Sequence, residues 1–164
     1  MSYTVNFRVL AFVAALTLAT FGILISARDS EAREARTRAN AVKIAKEYLG
    51  TPYKYGGTNK RGMDCSGLVY RVFYHRMGMT NVPRTAADQW RWKGAVKRVS
   101  LSGTKPGDLV FSDFDRNGRV DHVGIAARKD GELKMINALQ PGKNLGYLSI
   151  DKRYYVGSKR WLRS

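Results

Sequence analysis

The chain has 164 residues, 44% apolar and 26% charged, which is enough for one domain and excludes a disordered composition. Lys and Arg number 29 against 13 Asp and Glu, a net charge of +16. So strong a like charge points to an anionic partner (nucleic acid, lipid headgroups or an acidic polymer), the plain alternative being a solvated basic surface. The single Cys excludes an internal disulfide, and no Cys precedes Cys65 to carry a lipid anchor.

From Val9 to Ser26 the sequence VLAFVAALTLATFGILIS is free of charge, with Arg8 before it and Arg28 after it. A basic start, an apolar stretch and small residues at Ser26 and Ala27 read as a secretory signal. The run is also just long enough for an uncleaved membrane anchor. Both readings assign residues 1–27 to export and place the rest of the chain outside the cytoplasm. Ser30 to Leu49 reads as a helix with Ala35, Ala39, Val42, Ala45 and Leu49 on one face and Gly50 as its stop. Its first part, 28–38, is nearly all charge and alanine and is expected as an exposed stalk; the domain proper is expected over 39–164.

A glycine-rich loop, TPYKYGGTNKRGMD, leads into a second helix, CSGLVYRVFYHRMG. Leu68, Val69, Val72, Phe73 and Met77 form its apolar face, which sets Cys65 at the first turn. After Pro106-Gly107 the pattern becomes that of strands: DLVFSDF, VDHVGIAAR, ELKMINAL and RYYVGSKRWL. Helices first and an antiparallel sheet after them predict an α+β domain.

The reactive form of a cysteine is the thiolate, and a helix N-terminus favours it through unpaired N–H groups. Cys65 sits at such a position, with Asp64 placed to cap the helix and Gly67 placed to admit a close approach. A small buried Cys is the bland alternative. A nucleophilic Cys needs a base, and the chain has two His. His75 lies about 15 Å further along the same helix and cannot reach the thiol. His122 remains. In its strand Val123 and Ile125 share one face, and His122 and Gly124 the other. Asp130-Gly131 is a hairpin turn signal. If those two residues make the turn, Asn137 pairs with Gly124 and lies diagonally beside His122. A Cys65–His122–Asn137 relay then assembles in chain order; the alternative for Asn137 is an ordinary edge polar residue.

YLGTPYKYGG, DCSGLVYRVF, VPRTAADQW, PGDLVF, DHVGIA and MINA, in this order, closely resemble the NlpC-type family of cell-wall peptidases, from about Ala39 to the C-terminus. The resemblance implies a papain-like fold, no cofactor, and hydrolysis of peptide bonds in peptidoglycan stems, commonly between γ-D-glutamate and a diamino acid. It implies Cys65 as nucleophile and His122 as base. Asn137 stands where the family often has a second His. Tyr53 matches a tyrosine beside the oxyanion site, and Asp64 and Ser66 match positions that meet a free substrate amine. Arg84 and Gln89 match a motif beside the cleft, with Arg84 the candidate for substrate contact.

Asp113, Asp115, Asn117, Gly118 and Asp121 resemble the start of a calcium loop, but position twelve is Gly124 and strands flank the segment. A polar hairpin loop explains these residues equally well, and no metal is expected. The remaining function classes are a non-catalytic basic wall-binding module and a thiol acyltransferase or amidase on the same fold. With no phosphate loop and no nucleic-acid fold motif, the charge is expected to serve an anionic wall polymer or a membrane surface, not nucleic acid.

Overall fold

The structure is a computed structural model that describes the backbone of residues 7–94 and 96–161 and the side chains of 26–94 and 96–161. The export segment expected over 1–27 therefore lies almost wholly outside the described side chains. Among the described residues no helix is long and apolar enough to cross a membrane. The chain falls into two units, 1–35 and 36–164. The described residues of the first are the N-terminal part of helix α1 (Phe7–Lys46).

The second unit holds the rest. The buried positions of α1 there are Thr37, Ala41, Ile44 and Ala45, with Tyr48 buried in the turn that follows. They recur at helical spacing. The face expected from sequence is displaced from this one: Ala35 and Ala39 are exposed and Leu49 keeps 38% of its surface. In an alanine-rich helix several faces look alike, and the bulk of Ile44 and Tyr48 decides which one is buried. The helix gives way to a turn after Lys46, and Gly50, at φ 83°, ends it.

Strands β1 (Thr58–Asn59) and β2 (Gly62–Met63) make a short hairpin. Helix α2 (Cys65–Tyr70) follows and continues as a π-helical turn over Arg71–Arg76. The apolar face expected for it is the one that packs: Leu68, Val69, Val72 and Phe73 are fully buried and Met77 sits against them. A third helix, α3 (Ala86–Arg91), is capped by the Thr85 hydroxyl, which accepts the Asp88 N–H at 3.1 Å.

Six antiparallel strands close the domain: β3 (Val96–Val99), β4 (Leu109–Ser112), β5 (His122–Lys129), β6 (Glu132–Asn137), β7 (Gly146–Ser149) and β8 (Tyr155–Trp161). Their order is β3-β8-β4-β5-β6-β7. This is the α+β arrangement that the order of elements in the sequence predicts. Val123, Ile125, Ala127 and Ile136 face α1 and α2 in the main core. On the other side Val110, Ala126 and Met135 pack with Leu133, Leu148 and Tyr155 in a smaller one. The alternation expected for β5 is thus present. Asp130 (φ 53°) and Gly131 (φ 80°) turn the β5–β6 hairpin, and Lys129 pairs with Glu132.

Candidate active site

Asp64 caps α2. Its carboxylate accepts the Gly67 N–H at 2.6 Å and the Gly56 N–H at 2.7 Å, so one side chain ties the helix start to the preceding loop. Arg84 grips the same carboxylate with both terminal nitrogens, at 3.0 and 2.9 Å, and also donates to the Ser66 hydroxyl at 2.9 Å. The Ser66 hydroxyl donates back to Asp64 at 3.2 Å. Five donors thus serve the roughly four lone-pair sites of one carboxylate, which leaves none free for a substrate amine. Gln89 is decided as well: it is 1% exposed, and its amide donates to the carbonyls of Ser66 and Pro83. It fastens the Arg84 segment to the first turn of α2.

Gly67 is needed here for a reason other than substrate approach. A Cβ at this position would overlap the Gly57 carbonyl and meet Asp64 Oδ1 at 2.9 Å. The close neighbour is the β1 loop itself.

Cys65 is the first residue of α2, half-buried, in a cleft of about 360 Å³ that Tyr53, Ser66, Arg84 and Asp121 also line. Burial pushes its thiol up from the ordinary value. The Val123 N–H opposes the rise, the Asp64 charge adds to it, and the N–H groups of Ser66 and Cys65 oppose it further. The sequence led us to expect a lowered thiol. Desolvation of the anion outweighs the helix start, whose polar contribution is partly cancelled by the capping carboxylate. Tyr53, half-buried, is pushed up by burial first and then by the neighbouring Cys65 and Asp64. Its backbone is fixed by a hydrogen bond to the Lys143 carbonyl and a bridge to Met63.

His122 opens β5 and is 4% exposed. Its ring lies against Phe114, with centroids 4.9 Å apart. Because the thiol lies beside the Val123 N–H, one peptide unit separates that contact from His122. Burial drives the imidazole down to about 4, opposed by contact with Asn137 and by Asp121. The β5–β6 pairing runs from Lys129 opposite Glu132 to Ile125 opposite Ile136, one step short of the expected Gly124–Asn137 pair, and Asn137 pairs with Gly146 of β7. Asn137 is 3% exposed, and its amide donates to the Met135 carbonyl at 3.4 Å. His122 Nε2 and Asn137 Oδ1 are both buried without another hydrogen-bond partner, as two atoms kept for one another would be.

His75 is exposed on the π-helical turn and edges onto Tyr70 and Tyr74. The aspartates of the calcium-like loop bind their own backbone: Asp113 accepts from Asn117 and Gly118, and Asp121 from Phe114 and Asp115. Among the described residues no cluster of His, Cys, Asp or Glu is arranged to hold a metal. Sequence reasoning missed Asp121 and Tyr55 as cleft residues; the adjacency of Asp121 to His122 was the available signal for the first. A neutral thiol with N–H donors beside it, and a buried neutral imidazole one residue from the Val123 contact, are equipped for acyl transfer through a thioester.

Residues 50–163 match the NlpC/P60 family. Murein DD-endopeptidase MepH of Escherichia coli (strain K12) is 33% identical over 147 residues, which cover 87% of this chain and 52% of that protein. Gamma-DL-glutamyl hydrolase of Bacillus subtilis (strain 168) is 36% identical over 144 residues, covering 85% of this chain and 33% of that one. The chain thus spans about half or less of these curated relatives. The crystal structure of the NlpC/p60 domain of peptidoglycan hydrolase SagA superposes with a TM-score of 0.61 at 30% identity, covering 74% of this chain and 96% of that domain.

Proposed function

The chain belongs to the NlpC/P60 family, and from that premise we propose that it is a cysteine peptidase hydrolysing amide bonds in peptidoglycan stem peptides. Cys65 is the nucleophile, His122 the base, Asn137 the residue that orients the imidazole, and Tyr53 an oxyanion donor. The observation that carries this reading is the thiol beside the Val123 N–H, next in chain to His122, in a cleft shared with Tyr53.

The Cys65 proton passes to the His122 imidazole as sulfur bonds to the amide carbon. The oxyanion is held by the Cys65 N–H and the Tyr53 hydroxyl. The C–N bond breaks as the imidazolium returns its proton to the leaving nitrogen. Water, deprotonated by the imidazole, then cleaves the thioester and restores the thiol. A resting pair of neutral groups suits this sequence, because the charges appear together only once substrate has closed the cleft.

Ser66 and Arg84 line the Cys65 cleft and are assigned to substrate contact; Asp64 acts through them as the cap that holds both. The bond proposed is γ-D-glutamyl–diamino acid. The names of relatives include both a γ-DL-glutamyl hydrolase and a DD-endopeptidase, so the product masses from purified crosslinked muropeptides test this point. Loss of the peptide beyond γ-D-glutamate supports it; opening of the D-alanyl crosslink alone contradicts it. A wall-binding module without catalysis, or a transferase or amidase using the same thiol, is the other outcome of that digest. Residues 1–27 are assigned to export, 28–38 to a charged stalk and 39–164 to the catalytic domain, which places the activity in the cell envelope.

A further inference from the structure

The turn that follows α1 carries a phenol surrounded by cations. Tyr48 is 2% exposed, and its hydroxyl accepts from Arg71 Nε at 3.0 Å and from a terminal nitrogen of Arg76 at 3.4 Å. The Lys60 ammonium and the Arg71 guanidinium lie 5.8 and 6.0 Å from the centre of its ring. Burial alone would push the phenol up, but the bonds from Arg76 and Arg71 outweigh it and hold Tyr48 below its ordinary value. Negative charge is therefore favoured at this point. The carboxylate these cations share, Glu47, is taken by Arg76 at 2.8 Å and pulled down by it, with Lys60 and Lys43 adding to the effect. Four cations thus gather around one carboxylate and one neutral phenol. They come from the end of α1, the β1–β2 hairpin and the π-helical turn.

We propose that this cluster is a binding site for a phosphate monoester, built from Lys60, Arg71 and Arg76 around Tyr48 with Lys43 at its edge. It stands apart from the peptidase reading, since none of these residues lines the Cys65 cleft.

Among the described contacts Arg71 spends only Nε on Tyr48, so its two terminal nitrogens are left for a ligand. A guanidinium that presents N–H groups side by side matches two oxygens of a phosphate, and the Lys60 ammonium supplies a further donor. Tyr48, accepting from two guanidiniums, has its own proton left to donate. A monoester carries close to two negative charges at neutral pH, which suits the positive excess that Glu47 leaves; a carboxylate carries one. The plain alternative is a solvated basic surface. That accounts for charge, but not for two arginines held to one buried hydroxyl across 23 and 28 residues of sequence. Only a small part of the net charge of +16 lies here, so the site is separate from any broad attraction to a polyanion.

The test titrates sn-glycerol 3-phosphate into the full-length protein and follows backbone amide shifts by NMR, with sodium acetate at matched ionic strength as the second arm. Saturable shifts centred on Tyr48, Lys60 and Arg71 are expected with the phosphate and none with acetate. Lys60→Gln and Arg71→Gln should each raise the dissociation constant about tenfold, and Tyr48→Phe, which keeps the ring and removes the hydroxyl, about threefold. Lys152→Gln, which removes the same charge from an exposed position outside the cluster, should leave it unchanged. Lys60 is exposed, so its variant keeps the fold and decides the matter even where Arg71→Gln melts early. Shifts that do not saturate, that acetate reproduces, or that Lys152→Gln weakens as much as Lys60→Gln does, overturn the proposal. Unaltered binding in both Lys60→Gln and Tyr48→Phe also overturns it.

Discussion

Cys65 begins a helix, yet burial holds its thiol above the ordinary value, and the same burial takes the His122 imidazole down to about 4. Alkylation of the free protein at pH 6 should therefore be slower than that of an unhindered thiol; labelling faster than a free thiol would show a pre-formed thiolate. The general base is neutral above its depressed value, so the acid limb of kcat/KM should lie near pH 4, well below an ordinary histidine. His122 also links stability to pH. The unfolded chain binds its proton near pH 6.5 and the folded one near 4, so stability is intact above about 6.5 and falls by about 3 kcal/mol as pH drops to 4. Denaturant melts at pH 7 and pH 4.5 measure this, and His122→Asn should remove most of the difference. His75→Ala should leave the rate unchanged, since that side chain is exposed far along the helix. Asn137→Ala should reduce the rate roughly 10–100-fold, less than loss of the base, because it orients the imidazole without taking the proton.

At the scale of elements, the site is held by contacts that cross between segments. Asp64 joins the β1 loop, α2 and the Arg84 segment, while Gly67 lets the Gly57 carbonyl approach the helix. Gly67→Ala forces α2 off that loop and should lower stability by about 1–3 kcal/mol through overpacking, with a larger loss of rate than of thermal stability. A melting curve and a rate assay on the same preparation check it; wild-type behaviour in both would remove the close approach from the account. The β5–β6 hairpin was legible because Asp130-Gly131 is a turn signal, and the two-residue turn on which the Asn137 reading was conditional is present, with Lys129 opposite Glu132. The Asp64–Arg84 pair was not legible from spacing, since 20 residues separate the partners and no periodicity links them. Helix α3 and strands β3 and β7 went unread because they are short, and the two strands are half-exposed without a clean alternation. The α1 face was misread because alanines mark no side of a helix, and the direction of the Cys65 shift because sequence shows a helix start but not how dry it is.

Across the whole molecule the net charge of +16 remains to be used. If it serves contact with an anionic wall polymer or membrane, retention on isolated walls should fall steeply as salt rises, since the screening length shortens to about 3 Å at 1 M. Retention independent of salt would mean the contact is not electrostatic. Export is tested by fusing residues 1–40 to a reporter active only outside the cytoplasm; activity is expected, and a reporter that stays silent there contradicts it. Neither measurement bears on the chemistry of Cys65. That is decided by incubating purified peptidoglycan with the wild-type protein, Cys65→Ala, His122→Ala and the double variant, and following released peptides by mass spectrometry. Wild-type protein should release stem-peptide fragments. Each single variant should lose nearly all release while keeping the folded spectrum, and the double variant should be little worse than either, because the two groups act as one unit. Full release by Cys65→Ala would contradict the account.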